Sequence, residues 1–296
     1  MGEPQAEARA LSGLGDAHFA SGRLVAAERT FDACVRLAES HGLDDITLAN
    51  LSLRGHMRLY LCRLEEARTD CERAVEMAVS ADNRRAEVMA RGSCLGKVLL
   101  ETGDLVRADE AFEAAETLAA EIGAHRYEAL NRLFRGKVAL EQGLREKALT
   151  LGRRAAVLAS KAGPRFCLPL ALGVVARAET KIADCRAALE QAEELIAAGC
   201  FSHNPLWFYR DAALAAAGHG WAEETERYAT ALRKTFSWER IPWVDLVADG
   251  AEALAAWLRT DKRERLEGVS HRAQAAGFIG WAGTLDAVRP RGNLSE

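Results

Sequence analysis

Glycine interrupts otherwise helical sequence at Gly15, Gly55, Gly96 and Gly136, in steps of 40, 41 and 40 residues. Inside a helix it costs about 1 kcal/mol relative to alanine, so a glycine that returns in phase needs a compensating gain from packing. Four more columns keep the same register: Ala27, Ala67, Ala108 and Ala148; Phe31, Cys71, Phe112 and Gly152; Cys34, Ala74, Ala115 and Ala155; Leu37, Met77, Leu118 and Leu158. Turn residues step with them. Gly22, Cys62, Gly103 and Gly143 precede the alanine column by five positions, and Gly42, Asp82 with Asn83, Gly123 and Gly163 close each unit. Each period therefore reads as a helix, a tight turn, a second helix and a looser turn. The glycine column strips the first helix of a side chain so that the alanine of the second helix approaches it closely.

A chain of 296 residues holds seven such units. Apolar residues recur at threes and fours, as in Leu24, Ala27, Phe31, Cys34 and Leu37, and strand-like alternation is absent. The expected fold is all-α, a solenoid of six to seven antiparallel helix pairs. Beyond residue 165 the phase drifts. Gly173, Cys185, Leu189 and Ala192 make a fifth unit, Tyr228 and Ala231 mark a sixth, and Asn204–Pro205 and Pro242 open helices. The stretch 263–288 reads as one helix, a break at Gly277 and a short last helix. All six tryptophans (207, 221, 238, 243, 257, 281) lie past residue 200. Residues 1–200 are thus expected to form about five regular pairs, and 201–296 less regular repeats and a cap continuous with the same solenoid.

Composition narrows the function. With 49% hydrophobic residues, 28% charged residues and a net charge of −4, the chain is neither disordered nor a disulfide-stapled miniprotein, and it lacks the basic excess of a general nucleic-acid binder. No apolar run approaches the 18 residues of a membrane span, so no membrane partner is expected. Glu3, Glu7 and Arg9 leave no room for the apolar core of a secretory signal in the first ten residues. Seven cysteines without a C-x-x-C pair suit a reducing cytoplasm. Cys34, Cys71 and Cys185 occupy packing columns and read as inert small hydrophobes. The common phosphate-loop, metalloprotease, nucleophile-elbow and dinucleotide signatures are missing, and no two histidines stand at i, i+4, so neither catalysis, nor a cofactor, nor a metal is expected. The N-x-S matches at Asn50 and Asn293 carry no weight in a cytosolic chain.

The columns resemble the tetratricopeptide repeat, which pairs Leu-Gly on the first helix with Ala, an aromatic and Ala on the second: Leu14-Gly15, Ala27, Phe31 and Cys34, then Leu95-Gly96, Ala108, Phe112 and Ala115. That resemblance implies a right-handed superhelix and groove-facing positions at the residue after each glycine, about three before it and about four after it. The strings His203-Asn204-Pro205-Leu206-Trp207-Phe208-Tyr209-Arg210-Asp211 and Ile241-Pro242-Trp243-Val244-Asp245 resemble the carboxyl-terminal repeat region of large bacterial proteins that carry a class III adenylate or guanylate cyclase domain and an AAA-type ATPase domain. The likeness implies the sensor or scaffold portion, with a cyclase or ATPase domain as partner, and carries neither activity to this chain.

The position after each glycine selects Asp16, His56, Lys97 and Lys137. Asp16 stands where the carboxylate-clamp pattern has Asn, which disfavours a chaperone-tail receptor. Two lysines stacked on neighbouring units suit a partner's carboxylate or phosphate, hence an acidic protein or peptide; the plainer alternative leaves them solvated. His203, Asn204, Trp207, Tyr209, Arg210 and Asp211 form the most distinctive polar-aromatic patch, with the Trp, Tyr and Arg composition of a binding hot spot, against the alternative that Trp207 and Phe208 fill a core while Arg210 and Asp211 pair with neighbours. The partner-binding candidates are therefore His56, Lys97, Lys137, Trp207, Tyr209 and Arg210. Two functions follow: a protein-interaction scaffold in signalling, or a sensor in which a small effector sits inside the superhelix.

Overall fold

The computed structural model describes residues 2–235 and 237–289; Asn293 lies outside them. Within the described residues the chain is helical throughout. Its first four pairs are α1 (Glu3–Ala20) with α2 (Leu24–Ser40), α3 (Asp44–Tyr60) with α4 (Leu64–Ser80), a composite rod with α7 (Leu105–Glu121), and α8 (His125–Glu141) with α9 (Arg145–Ala162). The composite rod is α5 (Arg84–Val88), a π-helical segment (Met89–Gly96) and α6 (Lys97–Thr102). Then come α10 (Pro164–Ala178) with α11 (Ile182–Ala197), α12 (Asn204–Gly218) with α13 (Ala222–Thr235), α14 (Pro242–Thr260) with α15 (Glu264–Ala275), and α16 (Ile279–Ala287). The tight turns fall at the expected column, with Gly22, Cys62, Gly103 and Gly143 all at positive φ, between +58° and +83°.

The glycine column does face a partner helix, but in two units the side chain it admits differs from the expected one. A Cβ at Gly15 would stand 2.5 Å from the Phe31 ring, and one at Gly96 would stand 2.6 Å from the Phe112 ring. In these two units the aromatic column fills the notch, because the ring has the reach that alanine lacks, while at Gly55 and Gly136 the carbonyls of Ala67 and Ala148 stand 3.0 and 3.5 Å from the Cβ position, the close approach that the spacing predicts. In the fourth unit Gly152 replaces the aromatic, and Val174 from the next pair approaches both Gly136 and Gly152. Gly96→Ala should accordingly destabilise the fold by about 1–3 kcal/mol by overpacking, despite the better helix propensity of alanine. A lower urea midpoint at unchanged slope checks it.

The 41-residue step also has a structural cause. Gly55 and Gly136 stand 11 residues after Asp44 and His125, the first residues of their helices, whereas Gly96 stands 12 after Arg84. The π turn takes up that extra residue inside the rod. It also turns Met89, Ser93 and Lys97 toward one cavity on the inner side.

The first helices of the pairs contact one another in sequence and form an inner ring. That ring closes on itself, since α14 returns against α3 and α16 against α6 and α8. Gly280 lets α16 meet the Leu100 carbonyl, where any Cβ would collide. Loops complete the closure: the Ser202 hydroxyl donates to the Phe19 carbonyl, and the Glu239 carboxylate accepts from the Val25 and Ala26 amides at the start of α2, where a negative charge favours the helix dipole. Trp207, Trp243 and Trp281 are nearly fully buried in the interior, each contributing on the order of 5 kcal/mol of apolar burial.

Candidate functional site

Five of the six sequence candidates converge inside the ring, and their own chain already occupies most of them. Lys137, 2% exposed, forms an ion pair with Asp211 on α12. Arg210 pairs with Glu101 on α6, and Trp243 Nε1 donates to the same carboxylate at 3.4 Å. Trp207 Nε1 donates to the Tyr60 hydroxyl at 2.6 Å, and its ring meets those of Phe134 and Trp243 at 5.1 Å. The carboxylate expected from an outside partner at Lys137 is thus Asp211, and Trp207 with Phe208 fills the core. Tyr209 turns away on the far side of α12, half-buried against Phe208 and Tyr228.

His56 and Lys97 differ from the rest, because they line a cavity. About 250 Å³ remains among Phe19, His56, Met89, Ser93, Lys97, Arg126, Tyr127, Leu130, Phe166, Phe201, His203 and Asn204. Phe19, Met89 and Tyr127 also line a wider cleft of about 470 Å³, whose outer side carries Asp16, Asp45 and Arg85. These volumes suit a small ligand or a short extended chain.

Pro169 explains how the α11–α12 loop reaches this cavity. It sits inside α10 and has no amide hydrogen, so the Arg165 carbonyl four residues back lacks its helical donor. The Phe201 amide supplies one at 3.1 Å. Asn204 Nδ2 donates to the neighbouring Phe166 carbonyl. Ser202 adopts a left-handed φ of +47° between these anchors, and His203 is carried in beside His56 with ring centroids 4.9 Å apart. His203 and Asn204 belong to the polar-aromatic patch visible in the sequence, whereas Tyr127, Phe166 and Phe201 are site residues that neither that patch nor the repeat columns identify.

Burial sets the electrostatics. Lys97 is 2% exposed, and its ammonium stands 3.2 Å from His56 Nε2 and 4.9 Å from the centre of the Phe134 ring. Desolvation, with repulsion from Lys137, outweighs the pull of Cys94 and brings its pKa down to about 7. His56 is held well below the ordinary histidine range by burial, then by Lys97 and His203, and His203 by burial and Lys97. Both imidazoles are neutral at physiological pH. His56 Nδ1 and His203 Nε2 have no hydrogen-bond partner. Tyr60, beneath them, is pushed well above its usual pKa by burial, opposed by the bond from Trp207. Among the described residues no group of three or more acidic, histidine or cysteine side chains has the arrangement of a metal site, and no helix is long and apolar enough to cross a membrane.

The fold is of the tetratricopeptide-repeat type. The solved Rap conjugation gene regulator of the plasmid pLS20, in complex with the Phr* peptide, superposes with a TM-score of 0.62 at 16% identity, covering 94% of this chain and 75% of that one. A signal-transduction ATPase with numerous domains and a tetratricopeptide-repeat sensor, from Pyrococcus horikoshii, aligns with a TM-score of 0.47 at 14% identity over 97% of this chain and 39% of that one. No family model matches the sequence, and no curated protein matches it.

Proposed function

We propose that this protein is a regulatory helical-repeat module that recognises a short ligand, a peptide of a few residues or a molecule of that size, without chemistry on it. The observation that carries the reading is the closed ring: α14 and α16 return against α3, α6 and α8, and a cavity of about 250 Å³ shares Phe19, Met89 and Tyr127 with a neighbouring cleft of about 470 Å³. A space of this size suits an extended segment or a small molecule better than a folded domain. The Rap regulator, similar in fold, is solved with a peptide, which supports a peptide as one form of the ligand.

Occupancy of the cavity would bear on α1, α3, the π segment, α8, α10 and α12 at once, and so on the closure of the ring. The finer proposal is that a cyclase or ATPase domain reads this state. Its support is the sequence resemblance of 203–211 and 241–245, the strings that build the tryptophan-lined interior around Trp207 and Trp243. Thermal-shift and native mass-spectrometric screening of short peptides and small acids tests the ligand reading. The expected result is a one-to-one ligand that raises the melting temperature and is lost in Ser93→Trp, which fills the cavity. Binding that survives this substitution, or capture of folded partners alone, would overturn it.

A further inference from the structure

Among the described residues, the buried cations Arg54, Arg58, Lys137 and Arg210 each hold a carboxylate of the chain. Lys97, equally buried, holds none: its contacts are His56, the Phe134 ring and the Trp207 ring at 5.8 Å. No aspartate or glutamate lines the cavity where it ends. A buried ammonium without a counter-charge is costly, and a fold that pairs its other buried cations leaves this one for something else.

We infer that the inner end of the cavity is a receptor for the carboxylate of the bound ligand, formed by Lys97 with His56 and His203. The inference rests on the ligand reading above and names the chemistry of that ligand.

Hydrogen-bond bookkeeping supports it. The Ser202 hydroxyl donates to the Phe19 carbonyl, so His203 Nδ1–H donates to Ser202 Oγ at 3.2 Å and Nε2 is left bare. A charged Lys97 donates to His56 Nε2, which places the remaining proton of His56 on Nδ1, a donor without an acceptor. The set therefore holds one ammonium and one free N–H, with a second imidazole able to take up a proton and become a third donor. Arg126 adds a cation at the mouth, 5.5 Å above the Phe166 ring. The groups facing Lys97 are His56 on α3, Lys137 on α8, His203 ahead of α12 and Cys94 on its own rod. With both imidazoles neutral and Lys137 paired with Asp211, the inner end carries at most the single charge of Lys97, half-titrated near pH 7, and a monoanion bound there favours its protonated form. Around them Phe19, Leu130, Tyr127, Phe166 and Phe201 offer apolar and aromatic surface. The ligand is accordingly a carboxylate on a small apolar or aromatic body, whether the last residue of a peptide or a free aromatic acid.

Because the carboxylate stabilises protonated Lys97 and His203, binding takes up protons and weakens as pH rises. Isothermal titration of the full chain with N-acetylphenylalanine, 3-phenylpropionate, their carboxamides and phenyl phosphate, at pH 6 and pH 9, reads this directly. The acids are expected to bind at least tenfold tighter than the amides and the phosphate, and at least tenfold tighter at pH 6 than at pH 9. Lys97→Met, which keeps the fold, should abolish the preference for acid over amide. The first acid separates a peptide terminus from a free aromatic acid, represented by the second. Acids and amides binding alike, tighter binding of phenyl phosphate, or an unchanged preference in Lys97→Met would overturn the carboxylate assignment and leave the ligand reading standing. A chain that binds no short ligand in any form would overturn both.

Discussion

Arg210→Met should cost the fold about 3–5 kcal/mol, because it strands Glu101 in the interior. Glu101 is 0% exposed and takes its ion pair from Arg210, with Trp243 as its further donor. Burial already raises its pKa, and Arg210 is the chief opposing influence. Without that guanidinium the carboxyl must take up a proton to stay buried. Its folded pKa then lies further above the unfolded value, so stability falls as pH rises from about 4.5 toward that folded pKa. Chemical denaturation of Arg210→Met at pH 5 and pH 8 should show the larger deficit at pH 8, and the double variant Arg210→Met, Glu101→Gln should recover most of it. A single variant within 1 kcal/mol of wild type would show that the pair does not join α6 to α12.

Lys97→Met should act in the opposite direction and raise stability by about 2–4 kcal/mol at pH 7. A lysine whose pKa falls from 10.5 to about 7 carries a penalty on the order of 5 kcal/mol, at 1.36 kcal/mol per tenfold change in proton affinity, offset in part by its contacts with Phe134 and Trp207. The folded pKa is depressed, so the unfolded chain binds the extra proton between about pH 10.5 and pH 7. The penalty is absent above that window, grows as pH falls through it and is complete below pH 7. The advantage of Lys97→Met should therefore shrink toward zero as pH approaches 10.5. A stabilising substitution that removes ligand selectivity is the behaviour expected of a site kept at the expense of stability. Equal stability of the two proteins at pH 7 would mean that Lys97 is better compensated than its surroundings show.

The sequence makes the repeat architecture legible because the constraint is local and periodic. Glycine, alanine and turn positions report contacts within one helix pair, and every pair has to make them. Closure of the ring leaves no such mark. Trp207 meets Tyr60 across 147 positions and Arg210 meets Glu101 across 109, and nothing periodic signals contacts of that separation. The concentration of tryptophan past residue 200 is the one visible trace, and a terminal cap accounts for it equally well from sequence alone. The column after the glycines does report the inner face. It runs through Asp16 at the outer cleft and His56 and Lys97 at the cavity, then Lys137 and Val174 in the core. Applying the same rule three before and four after each glycine also reaches Ser52, Ser93 and Phe19, which line the cleft and the cavity. His203 and Asn204 are positioned through Pro169, a local break of the helical hydrogen bonding whose consequence appears only once the α11–α12 loop is seen to satisfy the freed carbonyl.

The carboxyl-terminal helices pack inside the superhelix, with Trp207 against Tyr60 and Arg210 against Glu101. Hydrogen exchange of the Trp207 indole N–H, identified by its loss in Trp207→Phe and followed by NMR, tests this packing most directly. That proton is donated to the Tyr60 hydroxyl in a nearly fully buried setting. It should exchange only through global unfolding, at a rate that tracks the stability of the whole fold as denaturant is added. Exchange within minutes under native conditions, with the helices intact, would show an open groove with Trp207 in solvent and would contradict the account.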